Sequence, residues 1–431
     1  MTDFSIEIKK LIKSKLSTDV LLTFSVQLVI MICLFATNKI LSNRLDVESF
    51  GLFNVVKKSV TVISFTMLSG VGIALPRYLA LYIGQNNKVR AKAFIKASIY
   101  FVCGISIIVF GFGLIFKNSL SKLIVEEDNL SLYLLAFSYA AAMTISSLLF
   151  AYYRGISDFK KYNISQLVVQ LALIIPIVTF SNLNLNSLIL CWAIITILVS
   201  VVFIIIEKYN NRFTLIETNF FDIKQELKIV AKYSLPRLIG DFFLFTFSAF
   251  PLIYLKYNVD LKATAHYSIG IMLLTIVTPI FSILGTILLP YISEALAKKE
   301  YIKINKIISR LCIAYSVLAV LITVVMYYLV EWLIYIFFSP EYLVSKEISR
   351  ILILSLLPQS MYLLFRNPID AVSIFPYNTL ILGLSLTAIV VLFVFCNNLH
   401  QYAWSYVFVS LLQGSASLLV WIFLKRKYKN C

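Results

Sequence analysis

Charge is scarce in this 431-residue chain. Asp, Glu, Lys and Arg make up 14% of it, against about 25% in a typical soluble domain, so it cannot be solvated as one. Histidine is nearly missing, with only His266 and His400. Both fall at the edges of apolar stretches without nearby carboxylates, which reads as interfacial polarity rather than catalysis. Cys33, Cys103, Cys191, Cys312, Cys396 and Cys431 contain no C-x-x-C pair, and most sit inside apolar runs, so neither a disulfide framework nor a zinc site is implied. No Walker loop is present, and no Ser/His/Asp or metal-ligand cluster emerges; the chain is expected to be no enzyme, to hydrolyse no nucleotide and to hold no bound cofactor. Residues 1–19 are polar and basic, and the apolar run behind them lacks a small-residue cleavage pattern, which argues against a cleavable signal peptide.

Apolar residues fill the space, at 60% of the chain. A bilayer span takes about 20 mostly apolar residues. Twelve such stretches can be drawn, near 20–41, 51–75, 94–116, 130–151, 164–181, 187–206, 229–255, 264–290, 311–333, 349–366, 375–396 and 402–424. Backbone polar groups in lipid must be satisfied within their own segment, so these are helices and the fold class is all-α, polytopic and membrane-embedded. Pro176, Pro236, Pro251, Pro279 and Pro358 fall within spans, as bends or as hinges.

The formal charge of +17 does not indicate nucleic acid as a partner, because the basic residues lie between apolar stretches. With the N-terminus in the cytoplasm, twenty-six Lys and Arg fall on the cytoplasmic side and six on the other. That asymmetry predicts an inner-membrane protein with both termini cytoplasmic. The outer loops are short, the longest being 334–348 and 117–129, whereas polysaccharide polymerases and glycosyltransferases usually expose a large one.

The longest hydrophilic insertion, 207–228, divides the chain into a six-helix half at 1–206 and another at 229–431. Shifted by 214 positions, residues 46–80 fall on 260–294: Asp46 meets Asp260, Phe53 meets Tyr267, and Leu75-Pro76 meets Leu289-Pro290. Only five of the 35 pairs are identical, yet the matched punctuation falls at matched element ends. Two halves of six spans each enter from the same side, which predicts a parallel repeat, the architecture of transporters with a central site.

Three stretches carry a family likeness. Phe50-Gly51-Leu52-Phe53-Asn54 opens the second span, with Tyr267-Ser268 at the matching place in the eighth. Gly70-Val71-Gly72 through Leu75-Pro76-Arg77-Tyr78 closes it, repeated as Leu289-Pro290-Tyr291. Tyr153-Arg154-Gly155 through Phe159-Lys160-Lys161-Tyr162-Asn163 follows the fourth. With these, the chain resembles the multidrug/oligosaccharidyl-lipid/polysaccharide (MOP) exporter superfamily, and within it the O-antigen or polysaccharide flippases of the Wzx type. The resemblance implies translocation of undecaprenyl-diphosphate-linked oligosaccharide units to the outer leaflet by alternating access, driven by an ion gradient or the membrane potential. It also implies membrane lipids, a polysaccharide polymerase and a chain-length regulator as partners. The first, second, seventh and eighth spans would line the cavity.

Ionisable groups inside spans are costly and are functional candidates. Lys57 and Lys58 sit about 10 Å into the second span, either as cations for a diphosphate or acidic sugar or as snorkelling residues. Arg237 and Asp241, four apart in the seventh span, can pair on one helix face. Arg237 would attract a diphosphate and Asp241 could be a protonatable coupling group; the plainer reading is a neutralised pair. Asp241 falls on Gln27 under the 214 shift, which makes Gln27 the matching polar candidate in the first span. Lys39 reads as a snorkelling residue, Glu331 as an interfacial one, and Arg77, Arg154 and Arg366 as orientation anchors that could touch a diphosphate on entry. A cation-coupled multidrug exporter is the nearest alternative, and a membrane polymerase or O-acyltransferase the more distant one. Three cations against Asp241 favour an anionic cargo.

Overall fold

A computed structural model describes residues 15–125, 129–179, 184–209, 218–297, 301–373 and 375–429. Among them the chain is all helix, as expected. Eleven helices are long and apolar enough to cross a membrane. The count is twelve if Pro340–Ile353 and Leu356–Val372, bent by 48° at a short break, form one span. Each apolar stretch drawn from the sequence has such a counterpart. The N-terminal basic segment 1–14, part of the 207–228 insertion and Cys431 lie outside the described residues; Cys33, Cys103, Cys191, Cys312 and Cys396 are free thiols.

The chain forms two compact units. The first comprises Met1–Leu41 and Ser59–Asp241, the second Ser42–Lys58 and Phe242–Cys431. This differs from a division at 207–228: residues on to Asp241 pack within the first unit, and Ser42–Lys58 within the second.

The first unit contains α1 (Lys15–Arg44) up to Leu41, the latter part of α2 (Val47–Leu68), α3 (Val71–Gly84), α4 (Lys88–Ile115), α5 (Lys117–Ile124), α6 (Leu130–Gly155), α7 (Phe159–Ala172), α8 (Ile175–Thr179), α9 (Leu185–Tyr209) and the first half of α10 (Phe220–Asn258). Hydrophobic attraction between helices is weak in lipid, so close approach by small residues and hydroxyl pairs does the joining. α6 supplies both. Ser146 faces Ser200 of α9 at 2.6 Å, and Thr144 faces Ser64 of α2 at 3.2 Å. Gly155 lets α3 in close, since a Cβ there would stand 3.2 Å from Pro76 Cα and 2.8 Å from Leu79 Cδ2. The buried face of α3 (Ala74, Leu75, Leu79, Tyr82) packs on Phe94 of α4 and Val230 of α10.

The second apolar stretch, 51–75, is not one helix. Ser69 (φ 49°) and Gly70 (φ 70°) interrupt it in left-handed conformations, and α3 restarts at Val71 with Ile73 and Ala74 N–H donating to the Gly70 carbonyl. Pro76 sits inside α3 and has no N–H for the carbonyl of Gly72, four residues back. Arg154 replaces it: its Nη2 donates to that carbonyl at 2.8 Å. Two of the motif stretches are therefore one interaction.

The second unit adds α11 (Leu261–Ala297), α12 (Tyr301–Phe337), a 3-10 turn at Pro340–Ser345, α13 (Lys346–Ile353), α14 (Leu356–Val372), α15 (Tyr377–Val394) and α16 (Leu399–Lys429). Segments 334–348 and 117–129, expected as loops, carry helix instead: the end of α12, the 3-10 turn and the start of α13 in one, and α5 in the other. Proline at the first position of the 3-10 turn needs no N–H there, and Tyr342 and Ser345 are buried beneath it. Pro358 likewise stands in the first turn of α14. α16 closes against α14 at Gly414, where a Cβ would stand 2.5 Å from the Pro358 carbonyl.

The first part of α2 meets α11 inside the second unit, and it does so at repeat-equivalent positions. Asn54 Nδ2 donates to Ser268 Oγ at 3.0 Å, buried and 214 positions apart. A Cβ on Gly51 would lie 2.3 Å from the Leu261 carbonyl oxygen and 3.4 Å from the amide nitrogen of Ala265, its own counterpart. The matched aspartates also do the same job. Asp46 accepts from the Ser49 N–H at the start of α2, and Asp260 accepts from the Ala263 N–H at the start of α11. The Ser49 hydrogen bonds hold the Asp46 carboxyl below its usual range. The repeat is thus visible in geometry as well as in sequence.

Gly51→Ala should cost about 1–3 kcal/mol, because backbone rather than a movable side chain stands in the way. Thermal unfolding of the detergent-purified protein checks this against Gly104→Ala. A Cβ at Gly104 meets nothing within 4 Å, so that variant should unfold at or above the wild-type temperature.

Candidate functional site

α10 approaches the α2–α3 break where Gly70 has no side chain. A Cβ there would stand 3.0 Å from both the Ser234 carbonyl oxygen and Arg237 Cβ. That approach sets Arg237 beside α3. Tyr233, one turn earlier on the same face, receives a hydrogen bond from Arg237 Nη1, and the guanidinium lies 4.3 Å from the ring centroid. The spacing allowed Asp241 four residues on; the guanidinium goes to Tyr233 four residues back.

A second guanidinium arrives from α3. Arg77 Nη1 donates to the same Tyr233 hydroxyl at 3.0 Å and lies 5.1 Å from its ring. Tyr78 closes on Tyr233 edge to face at 5.3 Å, so the phenol is held from two sides. Arginine suits this arrangement because its planar, weakly hydrated head stacks on aromatic faces where an ammonium would not. Among the described residues, neither Arg77 nor Arg237 is ion-paired to a carboxylate.

Other basic groups of the same unit are neutralised. Glu226 on α10, only 1% exposed, accepts from Arg90 Nε at 2.7 Å and from the Tyr82 hydroxyl at 2.7 Å. Lys161 pairs with Glu207 at 2.6 Å, and Tyr152 donates to the other oxygen of that carboxylate. Arg154 serves the Gly72 carbonyl and stacks over Tyr162. It acts as a backbone partner for α3, a role the sequence did not reveal.

Gln27 Nε2 donates to Gln166 Oε1 at 2.8 Å, and one turn earlier Thr23 accepts from Asn163 Nδ2 at 3.0 Å. These two polar rungs join α1 to α7 without a charge. Asp241 is half-buried and is the last residue of the first unit. Lys39 is also half-buried.

In the second unit, Lys57 and Lys58 are half-buried, with the Lys57 ammonium 5.6 Å from the Phe53 ring centroid. His266 Nδ1 meets Ser345 Oγ at 2.8 Å beside Tyr342, Glu331 pairs with Lys346, and His400 is exposed. Arg366 is half-buried, and its carbonyl accepts from Asn378 at 2.8 Å.

A family model described as polysaccharide biosynthesis protein matches residues 16–296, well over half of the chain. The chain belongs to that family. No curated protein matches it in sequence. Its fold is that of the MATE transporters of the MOP superfamily. An inward-facing multidrug resistance MATE family transporter superposes with TM-score 0.73 at 11% identity, over 95% of this chain and 98% of that one. An outward-facing multidrug resistance MATE family transporter gives 0.70 at 14%, over 96% and 95%. The Vibrio cholerae MATE transporter VcmN gives 0.71 at 16%, over 95% and 98%. The family member described here is thus a multi-pass membrane protein with a MATE-type fold.

Arg154→Ala should destabilise the protein by about 1–3 kcal/mol by orphaning a part-buried carbonyl, with Arg154→Lys recovering part of the loss. Thermal unfolding in detergent is the measurement; an unchanged midpoint for the alanine variant would mean that water serves the Gly72 carbonyl equally well.

Proposed function

We propose that this protein is a flippase that carries undecaprenyl-diphosphate-linked oligosaccharide units, of O-antigen or capsule type, from the cytoplasmic to the outer leaflet of the inner membrane. Membership in the polysaccharide biosynthesis family supports a glycan cargo. The observation that carries the reading is the sign of the charge within the spans: Lys57, Lys58 and Arg237 are all half-buried there, against Asp241. A cation in a span is retained at a cost, and a diphosphate is the anion in a lipid-linked sugar that would reward it.

Alternating access is the mechanism this reading adopts. It is supported by the fold, which in MATE family transporters has been described in both inward-facing and outward-facing conformations. The basic excess on one side supports a cytoplasmic location for both termini and for the Arg77 end of the first unit. Asp241 is the candidate for coupling transport to an ion gradient or to the membrane potential. The protein itself supplies no covalent chemistry in this scheme. It binds the diphosphate, shields the sugar from lipid and exchanges the open side. A polymerase and a chain-length regulator would then receive the unit.

A strain lacking the gene should accumulate complete lipid-linked units while its surface polysaccharide disappears, both reversed by the cloned gene. Arg237→Ala should abolish surface polysaccharide while the protein remains in the membrane at its normal amount. Unchanged polysaccharide and lipid intermediates in the deletion strain would sink the reading and make drug efflux the next assay.

A further inference from the structure

We propose that Arg77, Arg237 and Tyr233 form a phosphate clamp that takes the diphosphate of the cargo where it is loaded. This rests on the flippase reading for the identity of the cargo; the anion-binding chemistry stands on the geometry alone.

Two guanidiniums converge on one oxygen. Arg77 and Arg237 each donate to the Tyr233 hydroxyl and lie within 5.1 Å of its ring. Each guanidinium carries five N–H donors in a plane, and the shared hydroxyl engages one from each. The phenol acts as a spacer that holds two forks side by side. Both cations present further donors, which suits the several oxygens of a phosphate ester.

Like charges in contact repel, and proteins normally place a carboxylate between them. The first unit does this elsewhere, at Arg90–Glu226 and Lys161–Glu207. Glu226 lies on α10 only seven positions before Tyr233, and its two oxygens go to Arg90 and Tyr82. An acidic group is therefore near in sequence and directed away from the pair. Among the described residues no carboxylate is ion-paired to either arginine, and an anion from outside would take that place.

The forks are also fixed in place. Arg77 follows Pro76, whose helix is anchored through the Gly72 carbonyl by Arg154. Arg237 is set by the close approach at Gly70, and Tyr78 braces the Tyr233 ring. Each guanidinium is already tied to the Tyr233 hydroxyl, which reduces the side-chain freedom left to lose on binding. Two positive charges match a diphosphate better than a single carboxylate. The same chemistry would accept the headgroup of an ordinary anionic phospholipid, so the two sources must be separated by experiment.

The full chain in phosphatidylcholine nanodiscs should be titrated calorimetrically with inorganic pyrophosphate. Wild type should bind, Arg77→Gln and Arg237→Gln should each weaken binding at least about tenfold, and the double variant should abolish it. Arg90→Gln, which removes a nearby charge outside the clamp, should leave pyrophosphate affinity unchanged, and thermal midpoints confirm that each variant is folded. No binding by wild type, or equal binding by the double variant, overturns the clamp. In discs containing phosphatidylglycerol, undiminished pyrophosphate binding supports the cargo assignment. Loss of that binding overturns the assignment and makes the clamp a phospholipid site. The titration needs no transport, so normal polysaccharide in a deletion strain would overturn the flippase reading without touching the result for the pair.

Discussion

One carbonyl organises the first unit. Pro76 leaves the Gly72 oxygen without its helical donor in a part-buried position between packed helices. Arg154 reaches across from the end of α6 and donates to it. The next residue, Gly155, has no side chain to keep α3 away, so the guanidinium and the close approach reinforce one another. With α3 fixed, Arg77 is fixed. The left-handed pair Ser69-Gly70 just ahead admits α10 and thereby Arg237. A backbone defect introduced by one proline is thus the reason two distant arginines share a phenol.

The second unit depends on a different economy. α2 and α11 touch through Gly51 against Leu261 and through the Asn54–Ser268 hydrogen bond, and both helices are started by an aspartate that caps the first turn. Hydrophobic burial does not distinguish protein from lipid tails here, so such short polar links and bare backbone contacts carry the specificity of packing.

The spans were legible because a bilayer permits so few solutions: an apolar run of sufficient length must be helical, and each drawn stretch is a helix or a broken pair of helices. The repeat was legible through Asp46 and Asp260, since helix starts demand particular side chains wherever they recur. What escaped was pairing at a distance. Arg154 read as an orientation anchor because nothing local says that the carbonyl it serves lies 82 residues earlier. Arg237 had two polar groups in helical reach, and its guanidinium goes to Tyr233, which also takes Arg77 from 156 positions away. The loops at 117–129 and 334–348 were misread because their short helices are not long apolar runs, and hydropathy detects only those. The unit boundary escaped for the same reason: hydrophilicity marks 207–228, whereas Glu226 and Tyr233 bind the following residues to the first unit.

The contact between Asn54 and Ser268 also bears on which halves can associate. These positions correspond in the two repeats, 214 apart, and α2 meets α11 through the bond between them. A symmetric pair of identical repeats would have to set Asn54 against Asn54, or Ser268 against Ser268, one overfilling the gap and the other underfilling it. A single chain carrying both copies can instead divide donor from acceptor and bulk from space at this contact. That asymmetry rewards intramolecular pairing over the exchange of halves between neighbouring molecules, a safeguard against mispairing in a crowded membrane.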